Sequence, residues 1–238
     1  MTRKKNGNGN GVHEVQQGHE PPQEPQTLLY DFKQYIKVDL KTDAQRHAYG
    51  LYKKVDYLFL IGPAGVGKSF VATALAVREV ANRRAGRIIL TRPIQEAEES
   101  LGFLPGTFGE KIAPYIRPLR DQLYEIFTEG KVRKQFEQEF IETEPLAYMR
   151  GRTFANSVCI LDEAQNCTDK QLKLYLTRLG NNAKMIITGD PAQIDIPNSG
   201  LMDVVNKCKH RGSVGIVEFE NSDNVRHPSV EAMLEDLD

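Results

Sequence analysis

The chain has 238 residues and a mass of 26.9 kDa, with 40% hydrophobic and 26% charged residues, which is typical of one large globular domain. Its formal net charge of −1 excludes a strongly basic nucleic-acid-binding protein, so any basic surface must be local. The sequence has no apolar run near the roughly 18 residues of a membrane span, so we expect no membrane partner. Its three cysteines lack the spacing of a metal site, so we expect reduced thiols and a cytoplasmic protein.

The N-terminal segment, residues 1–27, is rich in Gly, Asn, Gln, Glu and Pro. It cannot bury enough apolar surface to offset its ordering entropy, which predicts a disordered tail, and it lacks the apolar core of a secretion signal. We expect residues 28–238 to form a single domain. The first element of this domain is an amphipathic helix in TDAQRHAYGLYKKV, capped by Thr42 or Asp43.

Strands and helices alternate along the rest of the chain. Five short apolar runs predict strands: DYLFLI, GRIILTRP, SVCILDEAQ, AKMIITGD and GSVGIVEFE. Helices are predicted in FVATALAVREVANRRA, around PYIRPLRDQLYEIF, and in TDKQLKLYLTRLG, the last with Thr168 or Asp169 as N-cap and Gly180 as its stop. This alternation predicts an α/β fold, in which helices cover both faces of a mostly parallel sheet.

A glycine-rich sequence, GPAGVGKS, follows the first predicted strand and opens the first long helix. It fits the pattern G-x-x-x-x-G-K-[ST], in which backbone N–H groups and the positive end of the helix face phosphates. Lys68 then reaches the β- and γ-phosphates, and the Ser69 hydroxyl binds Mg²⁺. A chance Gly-rich turn is the alternative, but strand, motif and helix occur in the required order. The predicted nucleotide-binding residues here are Gly62, Pro63, Ala64, Gly65, Val66, Gly67, Lys68, Ser69 and Phe70.

Two carboxylates, Asp162 and Glu163, directly follow the third predicted strand. An acid at a strand end near a phosphate loop suits the Mg²⁺ shell, and we assign this role to Asp162. Glu163 is then in position to polarise the attacking water as a general base. An adjacent Asp–Glu pair favours hydrolysis over phosphoryl transfer to a small molecule. For Glu163, the alternative is a favourable charge at the start of a helix.

A third polar cluster, TGDPAQ, follows the fourth predicted strand. Because ligands of α/β proteins bind at the carboxyl ends of the strands, this cluster points to the same crevice. Gln193 is a candidate to contact the γ-phosphate or the water, and Thr188 and Asp190 are candidates to link it to the two acids. The alternative is an ordinary turn made by Gly189, Asp190 and Pro191.

Eight short motifs occur together between about Thr42 and Pro228: GPAGVGKS, ILTRP, LGFLPG, PLAYMRGRTF, ILDEAQN, LTRLG, TGDPAQIDIP and VRHP. In this combination and order the chain resembles the PhoH-like ATPases. The resemblance implies a RecA-like P-loop NTPase core similar to the motors of superfamily 1 RNA helicases, which binds ATP and Mg²⁺ and hydrolyses ATP. It also implies RNA or single-stranded DNA as a partner and a homo-oligomer, with a hexameric ring as the favoured form.

The resemblance also assigns individual residues. Gln193 is similar to the γ-phosphate sensor of helicase motors, Gln45 to their adenine-reading glutamine, and Arg226 to an arginine finger, which can raise the rate by ~10³-fold. For Arg226, the alternative is a surface arginine near Asp223. The chain has the length of one motor lobe, so a finger must come from a neighbouring subunit or from a fold-back of the C-terminal segment. The predicted catalytic residues are Lys68, Glu163, Gln193 and Arg226.

Arginines near the predicted strand ends are the candidates for nucleic-acid contact: Arg92, Arg150 and Arg152. The aromatic residues Tyr148 and Phe154 are candidates to stack on bases. The alternative is structural pairing of these arginines with acids such as Glu96, Glu98 and Glu99.

Three functions are consistent with the phosphate loop. The leading prediction is an Mg²⁺-dependent ATPase that couples hydrolysis to work on RNA or single-stranded DNA. The alternative is a nucleotide-gated switch or assembly factor with slow hydrolysis and no nucleic-acid substrate. A small-molecule or nucleoside kinase comes third, because the DEAQ and GDPAQ motifs favour hydrolysis.

Overall fold

A parallel sheet forms the centre of the computed structural model, which describes Met1, residues 31–93 and residues 108–235. Within these ranges its strands are β1 (Tyr57–Ile61), β2 (Arg87–Thr91), β3 (Ile141–Thr143), β4 (Ser157–Leu161), β5 (Lys184–Gly189) and β6 (Val214–Glu218). Their order across the sheet is β3-β2-β4-β5-β1-β6, and every pairing is parallel. The predicted α/β fold class is thereby confirmed.

The described residues from Asp31 onward belong to one compact unit. Apart from Met1, the predicted tail, residues 1–27, lies outside the described residues, as do Glu96, Glu98 and Glu99. The tail and the single domain over residues 28–238 therefore stay predictions.

Helices connect the strands. They are α1 (Asp43–Tyr52), α2 (Lys68–Ala81), α3 (Phe108–Ile126), α4 (Gly130–Phe140), α5 (Asp169–Leu176), α6 (Leu201–Cys208) and α7 (Pro228–Glu235). Thr42 caps α1 by accepting a hydrogen bond from the N–H of Gln45, and Thr168 caps α5 through a complete capping box with Gln171. Among the residues described, no helix has both the length and the apolar character to cross a membrane.

Helices cover both faces of the sheet, as predicted. On one face, Phe59 and Ile187 of the strands share a buried cluster with Tyr175 of α5 and Leu201 of α6. On the other face, α2 packs against β2, β4 and β5. All five residues of β4 are buried, as expected for a central strand covered on both sides.

The structure has elements that the sequence did not predict, namely β3, α4, α6 and α7, and the predicted stop at Gly180 is wrong. The edge strand β3 has only three residues, too short to give a periodic apolar signal. Gly180 does not end α5, because this helix already ends at Leu176. Instead, a Cβ at Gly180 would lie 2.6 Å from the Phe154 carbonyl oxygen, so glycine is needed here for the close approach of two chain segments.

The carboxyl ends of four neighbouring strands meet at one edge of the sheet. There β1 continues into the phosphate loop and β2 into Arg92, while Asp162 follows β4 and Asp190 follows β5. Since β5 lies between β4 and β1, the polar residues after it lie between the two carboxylates and the phosphate loop. The fold therefore gathers the polar motifs of the sequence, which are up to about 130 residues apart in the chain.

The Thr168 cap provides a test of the local structure behind this edge. Replacing Thr168 with Ala removes the acceptor for the Gln171 N–H and should lower the free energy of unfolding by about 1 kcal/mol. Thr168→Ser keeps the hydroxyl and should retain most of the stability. Urea denaturation followed by circular dichroism measures both variants, and equal stability of wild type and Thr168→Ala would contradict the assignment.

Candidate nucleotide-binding site

The phosphate loop, residues 62–69, runs from β1 into α2, and its shape depends on glycine. Gly65 and Gly67 have φ angles of 88° and 82°, in the left-handed region that glycine adopts without steric cost. Gly67 is the N-cap of α2, so the first N–H groups of that helix lack intrahelical partners beside the loop. This arrangement is suited to binding an anion.

The Lys68 side chain folds back over the phosphate loop. Its Nζ donates hydrogen bonds to the carbonyl oxygens of Gly62 at 2.7 Å and Pro63 at 2.6 Å. Burial lowers the pKa of Lys68, and the nearby carboxylates, Asp190 foremost, act in the opposite direction. An anionic phosphate would stabilise this buried ammonium in the same way as the carboxylates do.

Asp162 joins the phosphate loop to β5. The side chain is buried, and its Oδ1 accepts hydrogen bonds from Ser69 Oγ at 2.7 Å and from Thr188 Oγ1 at 2.5 Å. Thr188 thus contacts one of the two acids to which it is predicted to link Gln193. A serine hydroxyl and a carboxylate next to a phosphate loop are hard oxygen donors of the type that Mg²⁺ prefers, so these residues fit the predicted ion.

Glu163 directs its carboxylate into a network rather than to a helix end. Its backbone has φ 57° and caps the short 3₁₀ helix Ala164–Asn166, but the side chain makes no capping hydrogen bond. Instead Oε1 accepts from Arg92 Nη2 at 3.1 Å, and Oε2 accepts from Gln165 Nε2 at 2.5 Å. Glu163 thus lies at the start of a short helix, as the alternative interpretation has it, but its carboxylate is hydrogen bonded to Arg92 and Gln165. Its role as a general base stays a prediction.

The two amides after Glu163 connect it to the loop that follows β5. Local sequence identifies Gln165 and Asn166 only as polar loop residues, yet Gln165 is 1% exposed and its Oε1 accepts from the Asp190 N–H at 3.0 Å. Asn166 exchanges two hydrogen bonds with Asp195, at 3.0 and 2.9 Å. The predicted connection of Asp190 to the acids therefore exists, and it runs through Gln165.

Gln193 is held in this loop by its backbone, whose N–H donates to the Asp190 carbonyl at 3.1 Å. Its exposed side chain lines the pocket. The turn is thus real, as the alternative interpretation required, and it presents Gln193 to the same pocket as the two acids. The sensor role of Gln193 stays a prediction.

Arg226 lies against the phosphate loop of its own chain. Phe219 N–H donates to the last residue of β1 at 2.7 Å, and Val225 N–H donates to the Gly65 carbonyl at 3.0 Å. A Cβ at Gly65 would lie 2.7 Å from Arg226 Cδ, and the ion pairs among the described residues do not include an Arg226–Asp223 pair. Arg226 thus folds back onto the phosphate loop of its own chain, and its role as a finger stays a prediction.

The buried side chain of Gln45 is hydrogen bonded to the backbone of the phosphate loop. It is 2% exposed, its Nε2 donates to the Val66 carbonyl at 3.0 Å, and its Oε1 accepts from the Lys41 N–H at 2.8 Å. It also lines a smaller cavity of about 270 Å³ together with Phe70. The observed contacts hold the loop, and adenine recognition by Gln45 stays a prediction.

These residues surround a pocket of about 520 Å³, within the range of small-ligand sites. The predicted residues that line it are Ala64, Gly65, Gly67, Lys68, Ser69, Phe70, Asp162, Glu163, Gln193 and Arg226. Gly62, Pro63 and Val66 belong to the loop but not to this lining. The main motifs of the sequence therefore meet in one cavity.

Sequence reasoning missed part of the pocket wall. Gln122 and Glu125 of α3 line it, as does Lys41 from the segment before α1. The two α3 residues are three positions apart and share one side of the helix, but no motif marks them. Only the packing of α3 over the loop could reveal them.

The candidate nucleic-acid residues lie in different settings. Arg92 pairs with Glu163, as described above. Arg152 forms an ion pair with Glu144, and its guanidinium lies 5.0 Å from the ring centroid of Phe154, whereas Arg150 is exposed. Base stacking by Phe154 is wrong, because this ring is fully buried in the core; Tyr148 is 59% exposed.

Comparisons with solved structures find distant likenesses. The chain is similar to a Sulfolobus solfataricus SWI2/SNF2 ATPase core in complex with dsDNA, with a TM-score of 0.44 and 16% identity over 71% of this chain and 35% of that one. It is also similar to a Bacteroides sp. Pif1 in complex with ADP-AlF4, with a TM-score of 0.37 and 14% identity over 84% of this chain and 46% of that one.

Relatives found by sequence comparison are more similar to this chain. A PhoH-like protein of Bacillus subtilis is 46% identical over 204 residues, which are 84% of this chain and 64% of the relative. Protein PhoH of Escherichia coli is 42% identical over 191 residues, 78% of this chain and 54% of the relative, so the chain spans less than two thirds of the length of either protein. The family described as PhoH-like protein matches residues 37–238. The chain therefore belongs to the PhoH-like protein family.

Proposed function

We propose that the chain binds ATP with Mg²⁺, hydrolyses it to ADP and phosphate, and couples this reaction to the handling of RNA or single-stranded DNA. The observation that carries the proposal is the convergence of the phosphate loop, the Ser69–Asp162 pair and Glu163 on one pocket of about 520 Å³. An anion-binding loop, hard oxygen donors and a carboxylate together are the parts that phosphate hydrolysis needs.

Binding of the triphosphate uses the loop and Lys68. The N–H groups at the start of α2 and the Lys68 ammonium stabilise the phosphate charges. On binding, Lys68 exchanges the carbonyl oxygens of Gly62 and Pro63 for phosphate oxygens, which carry more negative charge. Ser69 and Asp162 would hold Mg²⁺, which when bound neutralises phosphate charge.

Hydrolysis then requires an activated water at the γ-phosphate. The Glu163 carboxylate accepts a proton from this water as its oxygen attacks the phosphorus, and the bond to the β–γ bridging oxygen breaks to release ADP. Arg226 and Gln193, which line the same pocket, stabilise the charge on the transferred group and orient the water. Since Arg226 approaches from the same chain, this site does not need a neighbouring subunit to supply that cation.

The nucleic-acid part of the proposal is supported by basic residues in the segment between β3 and β4. Arg150 is exposed, and Arg152 keeps 41% of its side-chain surface exposed although it pairs with Glu144. Tyr148 adds an exposed aromatic ring two residues before Arg150. Exposed arginines with an adjacent aromatic ring are suited to the phosphates and bases of a single strand.

One observation also favours the second candidate, a nucleotide-gated switch with slow hydrolysis. Both oxygens of the Glu163 carboxylate already accept hydrogen bonds, from Arg92 and from Gln165. If Glu163 is the general base, hydrolysis of ATP is slow until one of these two donors leaves. Stimulation by nucleic acid favours the first candidate, and its absence favours the switch.

The direct test measures phosphate release from ATP and Mg²⁺ without polymer, with single-stranded RNA and with single-stranded DNA. We expect measurable hydrolysis that at least one polymer accelerates and that EDTA abolishes. Lys68→Ala should abolish hydrolysis in all three reactions, because the phosphates lose their cation. Equal turnover by wild type and Lys68→Ala would reject the proposal.

Glu163 allows a sharper test of the chemical step. Glu163→Gln keeps the size of the side chain but cannot accept the proton, so we expect kcat to fall by roughly 10²- to 10⁴-fold. Binding of a fluorescent ATP analogue should persist. The matched control is Glu142→Gln, which removes the carboxylate of an Arg–Glu pair on β3 and should leave kcat near wild type. An unchanged kcat in Glu163→Gln would exclude the assigned role.

We further propose that the chain self-associates, with a hexameric ring as the favoured form. Val230 and Met233 of α7 are 42% and 59% exposed, and α7 begins two residues after Arg226. A second copy that covers these side chains would therefore lie beside the nucleotide pocket. Light scattering with ATP and Mg²⁺ should give a multiple of the monomer mass, and Met233→Glu should reduce it. A monomer that hydrolyses ATP at the full rate would reject the ring.

A further inference from the structure

The Glu163 carboxylate is held between two donors that come from different parts of the fold. Arg92, the first residue after β2, donates to Oε1 at 3.1 Å, and Gln165 donates to Oε2 at 2.5 Å. Thr91 and Leu161, the last residues of the neighbouring strands β2 and β4, are paired in register. Arg92 and Glu163 therefore meet because of the sheet pairing.

The two donors differ in how firmly they are held. Gln165 is 1% exposed, and the other end of its amide accepts from the Asp190 N–H at 3.0 Å. The Arg92 side chain is 24% exposed, and its second hydrogen bond, to the Tyr115 carbonyl, is 3.5 Å long, which is at the outer limit for such a bond. Arg92 is therefore the donor that can leave, and Gln165 is the fixed one.

Arg92 also approaches Glu163 from outside the nucleotide pocket. Glu163 lines that pocket, whereas Arg92 is not among its lining residues. A ligand that binds the exposed part of Arg92 therefore does not have to displace the nucleotide. The carboxylate of Glu163 lies between the site for the nucleotide and the site where a second ligand would act.

We propose that Arg92 is a positioning residue that restrains Glu163, and that a phosphate of single-stranded nucleic acid draws Arg92 away and frees Glu163 for the attacking water. The inference rests on the proposed ATPase function. Phosphate and carboxylate offer a guanidinium the same charge-assisted geometry, so the exchange replaces one hydrogen-bonded anion with another. The polymer shifts a pre-existing equilibrium between restrained and free Glu163.

The experiment measures kcat and KM for ATP, with and without a single-stranded RNA homopolymer, in wild type, Arg92→Ala and Arg92→Lys. Without polymer, Arg92→Ala should raise kcat about fivefold or more, with KM for ATP within about twofold of wild type because the nucleotide contacts are intact. Polymer should then add nothing further. Arg92→Lys keeps a cation beside Glu163 and should restore a low basal kcat with partial stimulation.

The matched control is Arg87→Ala. Arg87 begins the strand that Arg92 follows and forms a similar pair with Glu142, at 2.9 Å, but it lies at the opposite end of β2. This variant should keep the wild-type kcat and stimulation. Melting temperatures verify folding, and Arg92→Gln carries the test if Arg92→Ala does not fold.

Two results would overturn the inference. A folded Arg92→Ala whose basal kcat is unchanged or lower would mean that Arg92 does not restrain Glu163. Stimulation that survives in this variant, or is absent from wild type, would mean that nucleic acid does not act through Arg92. Failure of the proposed function is recognised separately, because wild type would then lack any hydrolysis that depends on Lys68.

Discussion

The buried carboxylate of Asp162 is the point on which the site depends. One oxygen accepts both from Ser69 at the start of α2 and from Thr188 near the end of β5. A buried charge is tolerated only where it is hydrogen bonded, so these two hydroxyls fix the acid, and the acid in turn fixes the helix and the strand relative to each other. The parallel register of β4, β5 and β1 brings the three elements within reach.

Next to Asp162, the side-chain amides of Gln165 and Asn166 connect the ends of neighbouring strands. Gln165 connects Glu163 with the backbone of Asp190, and Asn166 connects the same motif with Asp195. The loop that carries Gln193 is therefore tied to Glu163 through side chains that local sequence identifies only as polar. These hydrogen bonds form a contiguous physical connection from Glu163 to the loop after β5.

The C-terminal segment completes the pocket within one polypeptide. Backbone hydrogen bonds join Phe219 to the end of β1 and Val225 to Gly65, so Arg226 lies over the phosphate loop. Arg226 therefore reaches this loop from within the same polypeptide.

The sequence by itself determined the elements whose physics is local: five apolar strands, the helix starts at Thr42 or Asp43 and at Thr168 or Asp169, and the glycine-rich phosphate loop. It also identified the parallel sheet, because strand–helix alternation allows few other arrangements. Contacts between distant segments have no local signal, and tertiary structure alone decided them. It placed Arg92 on Glu163, Arg226 on its own loop, Phe154 in the core, and Gln122 and Glu125 on the pocket wall. Such pairings depend on strand order and packing, which bring together residues that the sequence separates.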